Sequence, residues 1–300
     1  VVQALEAAVK RICEPELMDE PIQARAYAMA DFNRSDQAFC DRVLRLLSER
    51  PPLAPGQALR VLDLGCGPGN ISFRLADALP NAVLLGLDGA TAMLEEALAR
   101  QRLEPRRWPQ LRFAQIALPF EAGVSADPAL TARPLAGALP PPQPWPAAPP
   151  AGGGQSASLM AGAAFRPGSP AAMEVEASAR GLGALPADLE PPFQVLVSNS
   201  LLHHLHDPAV LWTSLRQLAA PGALVVVRDL RRPADAPALR TLVRRHGAGA
   251  PAVLRRDFAH SLRAAFRPEE VRQQLAAAGL EQLQVRPWQD RYLDIWGTMP

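Results

Sequence analysis

Residues 61–70 (VLDLGCGPGN) restrict the fold more than any other part of the chain. A short apolar run at 60–65 has the make-up of a buried strand, and it runs into glycines at 65, 67 and 69. Glycine lets the backbone turn sharply and lets another group come close to the main chain. Beyond the turn, 70–79 carries Ile71, Leu75 and Leu79 on one helical face. The start of that helix offers unpaired N–H groups to a negatively polarised partner.

The rest of the chain repeats this alternation. Further apolar strands are expected at 83–88, 111–116, 194–199 and 223–229, with helices at 91–100, after Asp207, and from Pro268 to about Ala278. Asp207 is a candidate cap with Pro208 in the first turn, and Gly222 is expected just past that helix's end. Two close-set strands, 281–285 and 292–296, predict a hairpin at one edge. The expected fold class is therefore α/β: a Rossmann-like, mostly parallel seven-stranded sheet with helices on both faces and an antiparallel terminal strand.

Two regions fall outside the alternation. Residues 1–55 form an expected N-terminal segment, mostly helical over 1–47, that could cap the carboxyl ends of the strands of a main domain at 56–300. That domain is interrupted at about 120–192, where 14 of the chain's 32 prolines fall and where LPPPQPWPAAPPAGGG occurs. Proline removes backbone donors and glycine removes side-chain contacts, so a disordered or loosely ordered surface insertion is expected. Trp145 is its candidate anchor.

Composition excludes several classes. A formal net charge of +1 argues against a dedicated nucleic-acid binder. Cys13, Cys40 and Cys66 are too few and too scattered for a disulfide framework or a zinc cluster. No apolar run approaches the roughly 20 residues that span a bilayer. The expected compartment is the cytoplasm. The oligomeric state is not readable.

Asp63 stands two residues before the first glycine, where it could accept a hydrogen bond from an ammonium group or a water. Asp88 ends the second strand, where a carboxylate can take both hydroxyls of a ribose. Dinucleotide folds space their glycines G-x-G-x-x-G; here the spacing is G-x-G-x-G, which disfavours a nicotinamide-dependent oxidoreductase. DLGCGPG resembles the first motif of class I S-adenosylmethionine-dependent methyltransferases. SNSLLHHLHDP at 198–208, APGA at 220–223 and VRDLRRP at 227–233 resemble small-molecule, quinone-biosynthesis-like members. The resemblance covers about 60–117 and 193–297.

That resemblance implies S-adenosyl-L-methionine as cofactor and a small-molecule methyl acceptor. The implied cofactor-binding residues are Asp63, Gly65, Cys66, Gly67, Gly69, Asp88, Gly89, Gln115, Ser198 and Asn199, with Ala90 by the adenine and Ser200 near the transferring methyl. Many relatives carry an acid or polar residue where this chain has Ala117, so adenine recognition could rest on backbone groups or on Gln115. The alternative of another class is a methyltransferase-like protein that binds cofactor or a partner and does no chemistry.

Side chains with two readings complete the candidate list. His203 and His204 are candidate general bases, set against a loop–helix junction with one buried imidazole. No metal site is expected, because metal ligands need a convergent third or fourth partner and no cysteine or acid cluster is placed for that around His203, His204 and His206. Cys66 could be a nucleophile, but its size suits the crowded turn. Tyr27 and Phe32 could line an acceptor pocket or a helix core. Arg231 and Arg232 could bind an acidic acceptor, with solvated charge as the simpler reading for them and for Arg228 and Asp229.

Overall fold

The computed structural model describes residues 8–14, 17–54, 56–116, 118 and 191–300, all of which fall in one compact unit. The expected insertion, apart from its last two residues, lies outside the described residues, as do Ala117 and Trp145.

In chain order the elements are α1 (Pro21–Met29), α2 (Asn33–Ser48), β1 (Arg60–Leu64), α3 (Asn70–Ala78), β2 (Val83–Asp88), α4 (Thr91–Leu103), β3 (Leu111–Gln115), β4 (Phe193–Asn199), α5 (Ala209–Leu218), β5 (Ala219–Leu230), α6 (Ala236–His246), α7 (Ala252–Ala264), α8 (Pro268–Ala277), β6 (Gln284–Trp288) and β7 (Tyr292–Thr298). The seven strands form one sheet in the order β3-β2-β1-β4-β5-β7-β6. The first five pair in parallel, and β7 runs antiparallel to both neighbours. The terminal hairpin is thus at the edge as expected, with β7 inserted beside β5 and β6 outermost. Pro287 sits in that outermost strand, where a missing N–H is tolerated.

Alternation along each strand builds two cores. Leu62, Leu64, Leu85, Leu87, Leu196, Val225 and Val227 face one side, where Trp212 and Leu215 of α5 and Val271 and Leu275 of α8 cover them. Val61, Leu84, Val195, Val197, Leu224 and Val226 face the other, under Phe39 and Val43 of α2 and Ile71, Phe73 and Leu75 of α3. Burial of both faces gives the strands their near-continuous apolar character.

The structure corrects several boundaries. Helix α5 stops at Leu218, and Gly222 lies inside β5 rather than after the helix. The β4–β5 register jumps there, from Phe193 opposite Ala219 to Val195 opposite Leu224, so the extra residues are absorbed as a bulge. Strand β6 begins at Gln284, three residues later than expected. Residues 8–14 and 17–20 are not helical. They run as a strap over the domain, held by Val9 N–H to Ala234 O (3.1 Å) and Ile12 N–H to Arg263 O (3.2 Å). Arg11 anchors the strap further, donating to Ala264 O and Leu205 O and lying over the Phe266 ring at 4.0 Å.

Candidate functional site

Strands β1 and β4 are neighbours in the sheet, and the chain leaves them towards opposite sides, through α3 and α5. Such a reversal point opens a crevice at the carboxyl ends of the strands. A cavity of about 1220 Å³ occupies it.

The glycine turn forms one wall. Gly65 and Cys66 N–H groups both donate to Leu87 O, at 2.8 and 2.9 Å, which straps the turn to the end of β2. Gly67 and Gly69 have φ of +53° and +80°, conformations that side chains other than glycine seldom adopt. They differ in surroundings. A Cβ on Gly69 would meet the Phe73 ring at 2.7 Å and the Phe113 ring at 2.9 Å, whereas one on Gly67 would meet nothing within 4 Å. Gly69 thus serves packing, and Gly67 presents bare backbone to the cavity.

Two acids lie beside the turn. The Asp88 carboxylate accepts from Gly67 N (2.7 Å) and Ala90 N (2.8 Å). Burial raises its pKa above the usual carboxylate value, with these N–H groups and that of Gly89 pulling the other way. Asp63 is buried and accepts the Ser72 hydroxyl at 2.6 Å. Burial pushes its pKa up to about 7, against the Ser72 hydrogen bond. A third buried acid on the wall, Asp36 of α2, is pushed by burial up to about 6 although Arg74 opposes the shift.

Tyr27 and Phe32, whose ring centroids are 4.8 Å apart, also line the cavity, and Tyr27 packs against the cluster of Ala24, Ala90, Ala92 and Met93. The Tyr27 hydroxyl hydrogen-bonds Ser200, and burial raises its pKa. Arg245–Pro251 of the α6–α7 junction and Leu254, Phe258 and Ser261 of α7 complete the lining. Gln23 donates to Asp257 at 2.9 Å and links α1 to α7. Sequence reasoning missed both α6 and α7. The signals were present: Asp235 caps α6 by accepting from Ala238 N, and Pro251 precedes α7.

Of the ten residues expected at the cofactor, Asp63, Gly65, Cys66, Gly67, Asp88, Gly89 and Asn199 line this one cavity, together with Ala90 and Ser200. Gly69, Gln115 and Ser198 do not. Gln115 donates instead to Gly89 O (3.1 Å) and Thr91 Oγ1 (2.8 Å), bracing the loop after β2. Ser198 is wholly buried, on the face of β4 opposite to that of Asn199. The Cys66 thiol is buried and its pKa is raised well above the usual thiol value by that burial, which makes a thiolate nucleophile unfavourable.

The histidines and arginines also sort out. His203 is buried, with Nδ1 at 2.7 Å from Asp229 Oδ1. Burial lowers its pKa, but Asp229 and Glu14 outweigh that, and the net shift is upward. His206 bonds Glu14 O at 2.8 Å. Glu14, on the N-terminal strap, stands beside His203 and His204, a convergent acid that sequence reasoning did not place there. The solvated-charge reading fails at β5. Arg228 is 1% exposed and pairs with Asp294 through two hydrogen bonds of 2.7 and 2.9 Å. Asp229 is also buried, and Arg232 is buried against Ala265 O and Glu270. Arg231 bonds the Asp290 carbonyl. Neither Arg231 nor Arg232 lines the cavity, so neither is placed to take an acidic acceptor.

A family model described as a methyltransferase domain matches residues 32–285, most of the chain. The chain belongs to that methyltransferase family. Among its relatives, a malonyl-[acyl-carrier protein] O-methyltransferase of Legionella pneumophila is 44% identical over 64 residues, which is 21% of this chain and 22% of that protein. A trans-aconitate 2-methyltransferase of Variovorax paradoxus is 49% identical over 67 residues, 22% of each. The chain therefore spans about a fifth of the length of these relatives. Among solved structures, the plantazolicin methyltransferase in complex with a pentazolic desmethylPZN analog and SAH aligns with a TM-score of 0.51 and 12% identity, over 93% of this chain and 91% of that one. At that identity the likeness speaks to the fold, and it agrees with the seven-stranded sheet described above.

Proposed function

We propose that this methyltransferase-family protein transfers a methyl group from S-adenosyl-L-methionine to a small-molecule acceptor. One observation carries the reading: bare Gly67 backbone, the Asp63 and Asp88 carboxylates and the aromatic rings of Tyr27 and Phe32 line one cavity. The wall suits that cofactor. Open space over Gly67 accepts a ligand lying flat on the turn, Asp88 keeps lone pairs for ribose hydroxyls, and Asp63 can balance an ammonium group.

Bound there, the cofactor would supply a methyl on a positively charged sulfur with a good leaving group. The chain's own residues then need to position and dry the site. Gly65, Gly67, Gly89 and Asn199 would hold one reactant, and Tyr27, Phe32 and Phe258 would hold the other. Alignment of two held reactants can account for roughly 7–11 kcal/mol of a barrier. The Gln23–Asp257 link ties α1 to α7, and the Tyr27–Ser200 bond ties α1 to the loop after β4. The substrates for which the relatives are named, malonyl-[acyl-carrier protein] and trans-aconitate, belong to proteins matched over about a fifth of their length, and the class they share with this reading is a small acidic metabolite or acyl group.

Among the described residues no helix is long and apolar enough to cross a membrane. Free thiols at Cys13, Cys40 and Cys66 fit a reducing cytoplasm, and the balanced charge favours a metabolite over nucleic acid.

The test is transfer of labelled methyl from S-adenosylmethionine into a fractionated metabolite extract. A labelled small molecule that disappears in the Asp88→Ala variant supports the reading. Tight cofactor binding with no labelled product across the fractions would move the protein to the binding-only class.

A further inference from the structure

We propose that Glu14, His203 and His204 form a three-ligand site for a divalent transition-metal ion, of the zinc type, at the edge of the cavity. The donor atoms are Glu14 Oε1, His203 Nε2 and His204 Nδ1, and all lie within 4.8 Å of one another. Glu14 Oε1 is 3.5 Å from His203 Nε2 and 3.4 Å from His204 Nδ1. Those separations exceed the roughly 2.9–3.0 Å typical of an N–H···O hydrogen bond. They match the edge of a tetrahedron, about 3.4 Å, around an ion bonded at roughly 2.0–2.1 Å to nitrogen and oxygen. A modest closing of the two imidazoles on each other completes that face.

The surroundings are those of a supported ligand set. Asp229 accepts from His203 Nδ1 at 2.7 Å, which fixes the proton on that nitrogen and turns the Nε2 lone pair towards Glu14. The Glu14 carboxylate is oriented by the Ser261 hydroxyl, which donates to Oε1 at 3.0 Å. Its backbone is oriented by His206, through the bond to Glu14 O. The Arg11 contacts pin the strap that delivers Glu14. The charged neighbours are Asp229, which favours a cation, and Arg11 and His260, which oppose it. Two imidazoles and one carboxylate suit zinc, cobalt or iron better than magnesium or calcium, which prefer all-oxygen shells. His203, His204 and Ser261 line the cavity, so a fourth position facing it would be open to water or to an oxygen of the acceptor, the arrangement of ligand-binding rather than closed structural sites.

The inference needs no S-adenosylmethionine and is tested without it. Tag-free, chelator-stripped full-length chain is titrated with Co²⁺, followed by its visible absorption, and with Zn²⁺ in a calorimeter. One equivalent of each metal should bind, and the cobalt spectrum should show the intense bands of a four-coordinate ion. Glu14→Gln and His204→Ala, checked for an unchanged circular dichroism spectrum, should each lose more than the roughly 10–100-fold in affinity expected from losing a group that only orients a ligand, as in Asp229→Asn. Absence of stoichiometric binding to the wild-type chain overturns the proposal, whatever the variants do. So does wild-type affinity in both folded variants, which would mark the three residues as a hydrogen-bonded cluster only. Neither result bears on cofactor binding at the glycine turn, so the two readings fail separately.

Discussion

The Asp88 carboxylate accepts the backbone N–H of Gly67 at 2.7 Å, so the acid that ends β2 is aimed by the glycine turn with which it would share a ligand. Its other oxygen takes the Ala90 N–H at 2.8 Å. The carboxylate therefore does two jobs, closing the turn and facing the cavity.

Asp88→Ala should weaken binding of S-adenosylhomocysteine by roughly 1–3 kcal/mol, the cost of losing charge-assisted hydrogen bonds. It should also lower the melting temperature, because the Gly67 and Ala90 donors lose their partner. Affinity equal to wild type in a calorimeter would place the ribose elsewhere.

Gly67→Ala and Gly69→Ala should separate binding from packing. At Gly67 the added methyl meets open space, so stability falls by only about 1–2 kcal/mol for the left-handed backbone, while cofactor affinity drops steeply. At Gly69 the methyl would lie 2.7 Å from Phe73, and overpacking adds roughly 1–3 kcal/mol to the same backbone strain. Denaturant melts paired with ligand titrations check the contrast. Equal losses of stability in the two variants would contradict it.

Asp63 gives a pH dependence. Burial holds its folded-state pKa at about 7 against the ordinary 3.8. Between those values the folded protein keeps a proton that the unfolded chain has released. Its contribution to stability is therefore complete below about pH 4 and is lost as pH rises through 7. A ligand ammonium beside Asp63 favours the carboxylate, so cofactor affinity should be highest above pH 7 and fall by up to about tenfold per unit below it. Asp63→Asn should flatten this profile. A profile unchanged by that substitution would show that another group sets it.

Arg228→Met should cost roughly 3–5 kcal/mol of stability, because it leaves the Asp294 carboxylate buried without its partner. The guanidinium also lies over the Trp288 ring at 3.6 Å, an interaction methionine replaces only in part. Urea unfolding measures the loss. A loss below 1 kcal/mol would show that Asp294 takes up a proton or water at little cost.

Much of this fold was legible because apolar strand runs and glycine punctuation are local signals. Val83–Asp88 stands at the expected positions, between Asn81-Ala82 and Gly89, residue types that are depleted in strands. The same locality explains what was missed. Glu14 meets His203 only because Arg11 and the backbone of 9–12 hold the strap in place, and nothing in the residues around Glu14 announces that meeting. Ser198 and Asn199 are adjacent in sequence, yet only Asn199 reaches the cavity, because successive strand residues face opposite ways. Arg228 and Arg232 read as surface charge, since composition does not reveal that Asp294 and Glu270 wait for them across the fold.

Calorimetric titration of the cofactor-free chain with S-adenosylhomocysteine, set against NAD under the same conditions, decides whether the glycine turn and Asp88 hold a sulfur nucleoside. One equivalent of S-adenosylhomocysteine should bind, with affinity cut by Asp88→Ala, and NAD should give no heat. Saturable NAD binding in preference to the sulfur nucleoside, or no binding of the nucleoside at all, would contradict this.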